Sequence, residues 1–216
     1  MKQSKLLKLT AIIEIVAVIL VVWFDFFIPT LIIISLMVLL ILLRREKFKE
    51  IGFRKSDGVK MIWQVFLLAV FWTFVDFGII MPVLNHLTGT VQNLDTYKDL
   101  PGNLPMFLFL LVASWTLAAI GEELAYRGLI QSRIRSLFSN ACFGTIIAVF
   151  ISSVLFGLAH REQGIIGVVV TGLDAIFFSF LRYKYANLWA SVLAHGFLNS
   201  IGIITFYFTG PLYGLW

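Results

Sequence analysis

Three short patterns in the second half of the sequence combine residue types that can carry out acid–base chemistry. They are E-E-L-A-Y-R, F-G-L-A-H and H-G-F-L-N, and they contain Glu122, Glu123, Arg127, His160, His195 and Asn199. A carboxylate can take a proton from water, and N–H groups of histidine and asparagine can stabilise an oxyanion. Together these groups would suit hydrolysis at a site enclosed by apolar helices.

The spacing within the patterns predicts which side chains face each other. Residues four apart on a helix share a face, so Glu123 can pair with Arg127. Glu122 then points about 100° away and stays free for chemistry. His195 and Asn199 are also four apart and should face the same space. Each pattern alone is equally typical of polar residues at a helix end, so the inference depends on all three together.

The composition is that of a membrane protein. Of 216 residues, 60% are hydrophobic and 13% are charged, whereas about 25% are charged in an average soluble domain. Seven apolar stretches have about the length that a membrane helix needs, at residues 9–28, 30–43, 60–81, 104–124, 142–160, 164–182 and 188–208. The sequence therefore predicts an all-α, polytopic transmembrane bundle of about seven helices.

We expect one integral membrane domain over residues 1–216, with N-terminal helices in 1–100 and the three motifs in 101–210. A cytoplasmic N-terminus would leave only Lys98 and Arg161 among the loop cations on the outer side, as the positive-inside rule favours. The net charge of +5 thus reflects short loops rather than a basic patch for nucleic acid. The single cysteine, Cys142, excludes an internal disulfide.

Ionisable residues inside membrane helices are costly and often functional. Glu14 and Asp25 are predicted near the two ends of the first helix, at the membrane interface. Asp76 is predicted near the outer end of the third helix, as a solvated end residue or a partner of another helix. Asp174 is predicted near the middle of the sixth stretch and needs a partner there. That partner is either a polar group on a neighbouring helix or a histidine of an active site. His86 is predicted to be a solvated loop residue.

In their order on successive apolar stretches, the three motifs resemble those of the CPBP family of intramembrane proteases. This family includes the type II CAAX prenyl proteases and the bacteriocin-processing, or Abi, proteins. The resemblance covers roughly residues 105–208. It implies that Glu122 activates a water molecule, and that Glu123 and Arg127 hold the first motif or bind the carboxylate end of the substrate. His160, His195 and Asn199 would complete the site.

The resemblance leaves the role of metal open. In a metalloprotease, Glu122, His160 and His195 would bind a divalent ion such as zinc, which activates water by lowering its pKa. In a metal-free glutamate protease, the histidines and Asn199 would polarise the scissile carbonyl. The helix motif H-E-x-x-H is absent, so no local spacing decides between them, and no cofactor is predicted with certainty.

The implied partners are a peptide or protein substrate, lipidated or not, and membrane lipid, with no nucleic acid. The implied location is the plasma membrane of a bacterium. Two alternatives use the same cavity without hydrolysis, namely a membrane scaffold or a bacteriocin self-immunity protein. A small transporter is disfavoured because the sequence shows no inverted repeat.

The predicted helix ends raise a difficulty of depth. Straight helices over 104–124 and 142–160 would place Glu122 and His160 about a membrane apart. Either the helices tilt and the fifth is short, or the stretch R-E-Q-G-I-I-G folds back to line a wet cavity. Gly157, Gly164 and Gly167 would supply the backbone freedom for the second arrangement.

Overall fold

The computed structural model describes residues 2–24, 29–45, 47–54 and 58–216. Asp25 lies outside the described residues. The described part of the chain contains helices and no strand, with α1 Lys2–Phe24, α2 Pro29–Arg44, α3 Phe48–Ile51, α4 Val59–Val75, α5 Met81–Thr88, α6 Leu104–Ala113, α7 Gln131–Ser136, α8 Ala141–Leu158, α9 Gly164–Lys184 and α10 Leu188–Thr209. Two π-helices, Asp76–Ile80 and Ser114–Ile130, join α4 to α5 and α6 to α7.

In the described residues, the seven predicted apolar stretches lie in helical segments, except that the fifth stretch ends in a turn at 159–160. Five segments in the described residues are long and apolar enough to cross a membrane, namely Val59–Thr88, Leu104–Ser136, Ala141–Leu158, Arg161–Lys184 and Leu188–Thr209. Helix α1 contains the described part of the first stretch, residues 9–24, and α2 contains the second stretch. The prediction of an all-α, polytopic helical bundle is confirmed.

The fourth segment is much longer than predicted. It runs without a break from Leu104 to Ser136 over 33 residues, because the charged residues after position 121 lie inside the protein rather than at a helix end. Glu122 is consequently near the middle of the segment. The fifth helix, α8, is short and ends at Leu158, so His160 follows it directly in a turn. With the fourth segment ending at Ser136 and α8 ending at Leu158, Glu122 and His160 are no longer expected to lie a membrane apart.

The stretch after His160 does not fold back into the protein. A short 3₁₀ turn, Arg161–Gln163, leads straight into α9. Gly164 begins α9 with φ +78°, a left-handed value that favours glycine. Gly157 serves close packing instead of backbone freedom, since a Cβ there would lie 2.4 Å from the carbonyl oxygen of Val168. The expectation of a re-entrant segment is therefore wrong.

Helix α10 is the centre of the bundle around the motifs. It packs against α4, α9 and the π-helix Ser114–Ile130, while α8 packs along α9. Gly196 lets α10 meet the ring of Trp115, because a Cβ there would lie 2.5 Å from that ring. The motif residues of three segments are thus brought to one region of the core.

Glu14 is buried inside the protein and contacts two neighbouring helices. It is buried near the middle of α1, where it contacts Arg44 of α2 and forms an ion pair with Arg133 of α7 at 2.7 Å. Two guanidinium groups compensate the charge of this carboxylate. Glu14 therefore joins α1, α2 and α7, while its place relative to the membrane interface stays a prediction.

Candidate active site

A cavity of about 600 Å³ lies between the segments that carry the motifs. Glu122, His160, His195 and Asn199 all line it. Glu122 comes from the π-helix Ser114–Ile130, His160 from the turn after α8, and the other two from successive turns of α10. Four of the six predicted site residues therefore face one space.

The start of α10 fixes where its two site residues lie. Asn187 caps this helix, with its side-chain oxygen accepting a hydrogen bond from the backbone N–H of Trp189 at 3.2 Å. The same side chain exchanges hydrogen bonds with both backbone groups of Arg54. His195 and Asn199 follow two and three turns into the helix, at the depth of the cavity.

Glu123 and Arg127 lie behind the cavity wall rather than in it. Arg127 Nη1 is 3.0 Å from Glu123 Oε1, and their side chains are 1% and 0% exposed. The guanidinium lies over the rings of Phe156 and Phe178, with centroid distances of 4.5 and 5.3 Å. The expected ion pair is present, and cation–π contacts hold its positive partner.

Glu123 also orients His195. The Nδ1 atom of His195 lies 2.9 Å from Glu123 Oε1, and because a carboxylate can only accept, Nδ1 carries the donated hydrogen. The ring stacks on Phe178 at 4.7 Å with an interplanar angle of 15°. These contacts direct Nε2 towards Glu122, whose Oε2 is 3.9 Å away.

His160 is oriented in a similar way by the backbone. Its Nδ1 donates to the carbonyl oxygen of Phe156 at 2.8 Å, which leaves the lone pair of the neutral ring on Nε2. Burial lowers the pKa of His160, which lies between two spanning segments, so this ring is neutral at neutral pH. The Phe156 ring lies close to both histidine rings, with centroid distances of 4.7 and 6.0 Å.

Glu122 lines the cavity whereas Glu123 does not, although the Oε2 atoms of both glutamates have no hydrogen-bond partner among the described residues. The Glu122 side chain is buried together with this oxygen. A buried carboxylate oxygen without a donor is rare in a stable core. This oxygen can therefore accept a proton or a hydrogen bond from a molecule in the cavity.

The loop before the fourth segment closes one side of the cavity. Gln92 donates to Gln163 Oε1 at 2.7 Å, and the backbone N–H of Asn93 donates to the carbonyl of Gln163 at 2.9 Å. Tyr97 of this loop lines the cavity. Burial raises the pKa of Tyr97, so its phenol stays protonated at neutral pH and can donate a hydrogen bond.

Two further carboxyl groups line the cavity. Of these, the sequence linked only Asp174 to the site, as one of two alternatives. Asp76 is 6% exposed and lies near the middle of the segment Val59–Thr88 rather than at its end. Asp174 accepts a hydrogen bond from Trp72 Nε1 at 2.6 Å, so its partner is a neighbouring helix and not a histidine. Trp72 and Asp76 are four residues apart and share a helix face. This spacing was the signal that could have linked Asp76 to Asp174, the partner of Trp72.

The ligand set expected for zinc does not converge in this fold. In the part of the chain that the structure describes, no three side chains of His, Cys, Asp or Glu lie close enough together to hold a metal ion. Glu122, His160 and His195 share the cavity without forming such a group. The arrangement therefore fits acid–base chemistry by side chains better than a three-ligand zinc site.

Residues 104–201 match the family model described as type II CAAX prenyl endopeptidase, Rce1-like. The predicted family resemblance is confirmed. The matched segment, slightly less than half of the chain, contains all six predicted site residues. Neither the curated proteins nor the solved structures show a significant match to this chain. With five long apolar helices, the Rce1-like match indicates a multi-pass membrane protein and supports peptidase activity in general.

Proposed function

We propose that this protein is an intramembrane endopeptidase that hydrolyses a peptide bond with a water molecule activated by Glu122. The observation that carries the proposal is that Glu122 lines a cavity shared with His160, His195 and Asn199, while its Oε2 has no hydrogen-bond partner among the described residues. The substrate would be a membrane-associated peptide, prenylated or otherwise apolar. Leucine and phenylalanine side chains form much of the cavity wall and suit such a chain.

Glu122 acts as the general base and then as the general acid. Its carboxylate takes a proton from water while the water oxygen attacks the carbonyl carbon, and the resulting carboxyl group gives the proton to the leaving amine. The 3.9 Å between Glu122 Oε2 and His195 Nε2 is too long for a direct hydrogen bond. One water molecule can contact both atoms at this spacing.

His195 and Asn199 supply donors for the oxyanion of the tetrahedral intermediate. A protonated His195 donates from both ring nitrogens, and Glu123, bonded to Nδ1, stabilises the positive charge on the ring. The amide of Asn199 lies one turn further along the same helix face. Loss of one donor of this kind lowers kcat by about 10²- to 10³-fold.

Arg127 is a positioning residue in this scheme. It is 1% exposed and does not line the cavity, so we assign it to compensating Glu123 and not to binding the carboxylate end of a substrate. Glu123 in turn holds the His195 ring. The pair therefore acts on the reaction through His195.

The test is turnover of fluorogenic, membrane-associated peptides by the full chain in lipid nanodiscs. Glu122→Gln should lower kcat by at least about 10³-fold, as expected for loss of a general base. Peptide binding should persist, because glutamine keeps the shape of the side chain. Asp99→Asn changes an exposed carboxylate of the loop before Leu104 and should leave kcat within about 2-fold of the unaltered protein.

The same assay with a chelator added distinguishes the glutamate mechanism from a zinc-dependent one. Activity that resists chelation and is lost in Glu122→Gln would support the glutamate mechanism. Activity that chelation abolishes and zinc restores would contradict it. If the unaltered protein and both variants bind peptides specifically but none of them cleaves a peptide, the result would favour a binding protein instead.

A further inference from the structure

The cavity carries carboxyl groups that the proposed hydrolysis does not use. Asp76, at the start of the π-helix Asp76–Ile80, and Asp174 of α9 both line it together with Glu122. Asp76 is only 6% exposed, and its Oδ1 has no hydrogen-bond partner among the described residues. Both groups are thus available to a ligand in the cavity.

The geometry of α4 brings the two aspartates to the same part of the cavity. Trp72 donates to Asp174 Oδ1 at 2.6 Å, and its ring stacks on Phe177 at 4.7 Å, which ties α4 to α9. Asp76 lies four residues after Trp72 and therefore on the same helix face. Asp174 consequently faces the turn that carries Asp76.

An uncharged side chain gives an independent indication of a ligand. Ser114 is only 7% exposed and lines the same cavity. Its Oγ atom has no hydrogen-bond partner within the described part of the chain. Buried polar atoms in native proteins are normally satisfied, so Ser114 and Asp76 point to a polar molecule in the cavity, and the Asp76 carboxylate calls for one with hydrogen-bond donors.

The charges around the cavity define what that molecule is. Its described lining contains three carboxyl groups and two histidines, and neither lysine nor arginine. An ammonium or guanidinium group would supply both donors and positive charge to these carboxyl groups. A free terminal carboxylate would instead meet carboxyl groups with no lysine or arginine of the lining to compensate it.

We infer that Asp76 and Asp174 bind a basic side chain of the peptide substrate, and so direct cleavage to an internal bond near lysine or arginine. This specificity rests on the proposed endopeptidase function. It also disfavours release of a C-terminal tripeptide with a free carboxylate. The two aspartates are specificity determinants, and Ser114 adds an acceptor for the same cation.

The experiment compares three peptides of one apolar sequence. The first contains a lysine, the second has norleucine in its place, and both end in an amide; the third is the norleucine peptide with a free carboxylate. Binding is measured on full-length Glu122→Gln protein in nanodiscs, and kcat/KM on the protein without this change. The lysine peptide should bind at least about 10-fold more tightly than the norleucine peptide, with the free carboxylate weakest.

Variants locate the preference. Asp76→Asn and Asp174→Asn, each made in the Glu122→Gln protein, should bring the ratio of the two dissociation constants to within about 2-fold of unity. Asparagine at 174 still accepts from Trp72, so this variant keeps the contact between helices. Ser114→Ala should lower the ratio by about 3-fold. Asp99→Asn, in the exposed loop, is the matched control and should leave the ratio unchanged.

Equal binding of the lysine and norleucine peptides would overturn the inference, and so would a ratio that both aspartate variants preserve. Tightest binding of the free-carboxylate peptide would point to the terminal tripeptide instead. Because binding is measured without turnover, the two proposals fail separately. A lysine preference without cleavage refutes the peptidase, whereas cleavage without a preference refutes the cation site.

Discussion

Replacing Arg127 with methionine tests the ion pair that supports the site. Methionine keeps much of the side-chain volume between Phe156 and Phe178, but it leaves Glu123 buried without its cation. At the observed 3.0 Å separation, two unit charges attract each other by about 5 kcal/mol at an effective dielectric constant of 20. Breaking one side of a fully buried pair costs about 3–5 kcal/mol. We expect Arg127→Met to lower the free energy of unfolding by about this amount.

The assay is reversible unfolding in mixed micelles, followed by the fluorescence of the six tryptophans. Glu123→Gln alone should cost a similar amount, because it leaves Arg127 unpaired. The double variant should lose clearly less than the sum of the two single losses, with a coupling of about 2–3 kcal/mol. Additive losses, with a coupling below about 0.5 kcal/mol, would show that Glu123 and Arg127 do not stabilise each other behind the cavity wall, and would refute the assignment.

Two other substitutions test the packing that places the site. Gly157→Ala should destabilise the protein by about 3 kcal/mol or more, because its Cβ would lie 2.4 Å from the Val168 carbonyl oxygen and overpacking forces helices apart. Gly202→Ala has no atom within 4 Å of the new Cβ and is the control; equal melting temperatures of the two variants would contradict the close approach. Trp72→Phe should cost about 1–3 kcal/mol by leaving Asp174 without its donor. Asp174→Asn in the Trp72→Phe background should recover part of that loss, and no recovery would argue that the indole acts by packing alone.

Hydropathy located all seven helical segments, but it did not give their ends where charges lie inside the protein. The fourth stretch was predicted to end at 124, just after the two glutamates and before Arg127, whereas the segment continues to Ser136. Those charges are tolerated since Glu123 and Arg127 compensate each other. Asp76 was likewise predicted near the outer end of its helix, whereas it lies near the middle of Val59–Thr88. A single sequence gives the depth of a residue only when both ends of its helix are known.

The motif residues were predictable because their spacing encodes shared helix faces. Glu123 does pair with Arg127, and Glu122 does share a cavity with both histidines. The contact between Glu123 and His195 was not predictable, since it depends on how α10 packs against the π-helix Ser114–Ile130. Asp174 was recognised as needing a partner, but no pattern selects Trp72 from a helix about 100 residues earlier. Pairings between distant helices are decided by packing and not by local periodicity.

The two adjacent glutamates show how one short motif separates support from chemistry. Neighbouring positions on a helix point in different directions, so Glu122 and Glu123 cannot occupy the same environment. Glu123 faces the wall, where Arg127 compensates its charge and His195 Nδ1 donates to it. Glu122 faces the cavity with an oxygen that no described residue satisfies. The stabilising contacts of the motif are thus made by Glu123, which orients His195. The carboxylate of Glu122 remains available to water and substrate.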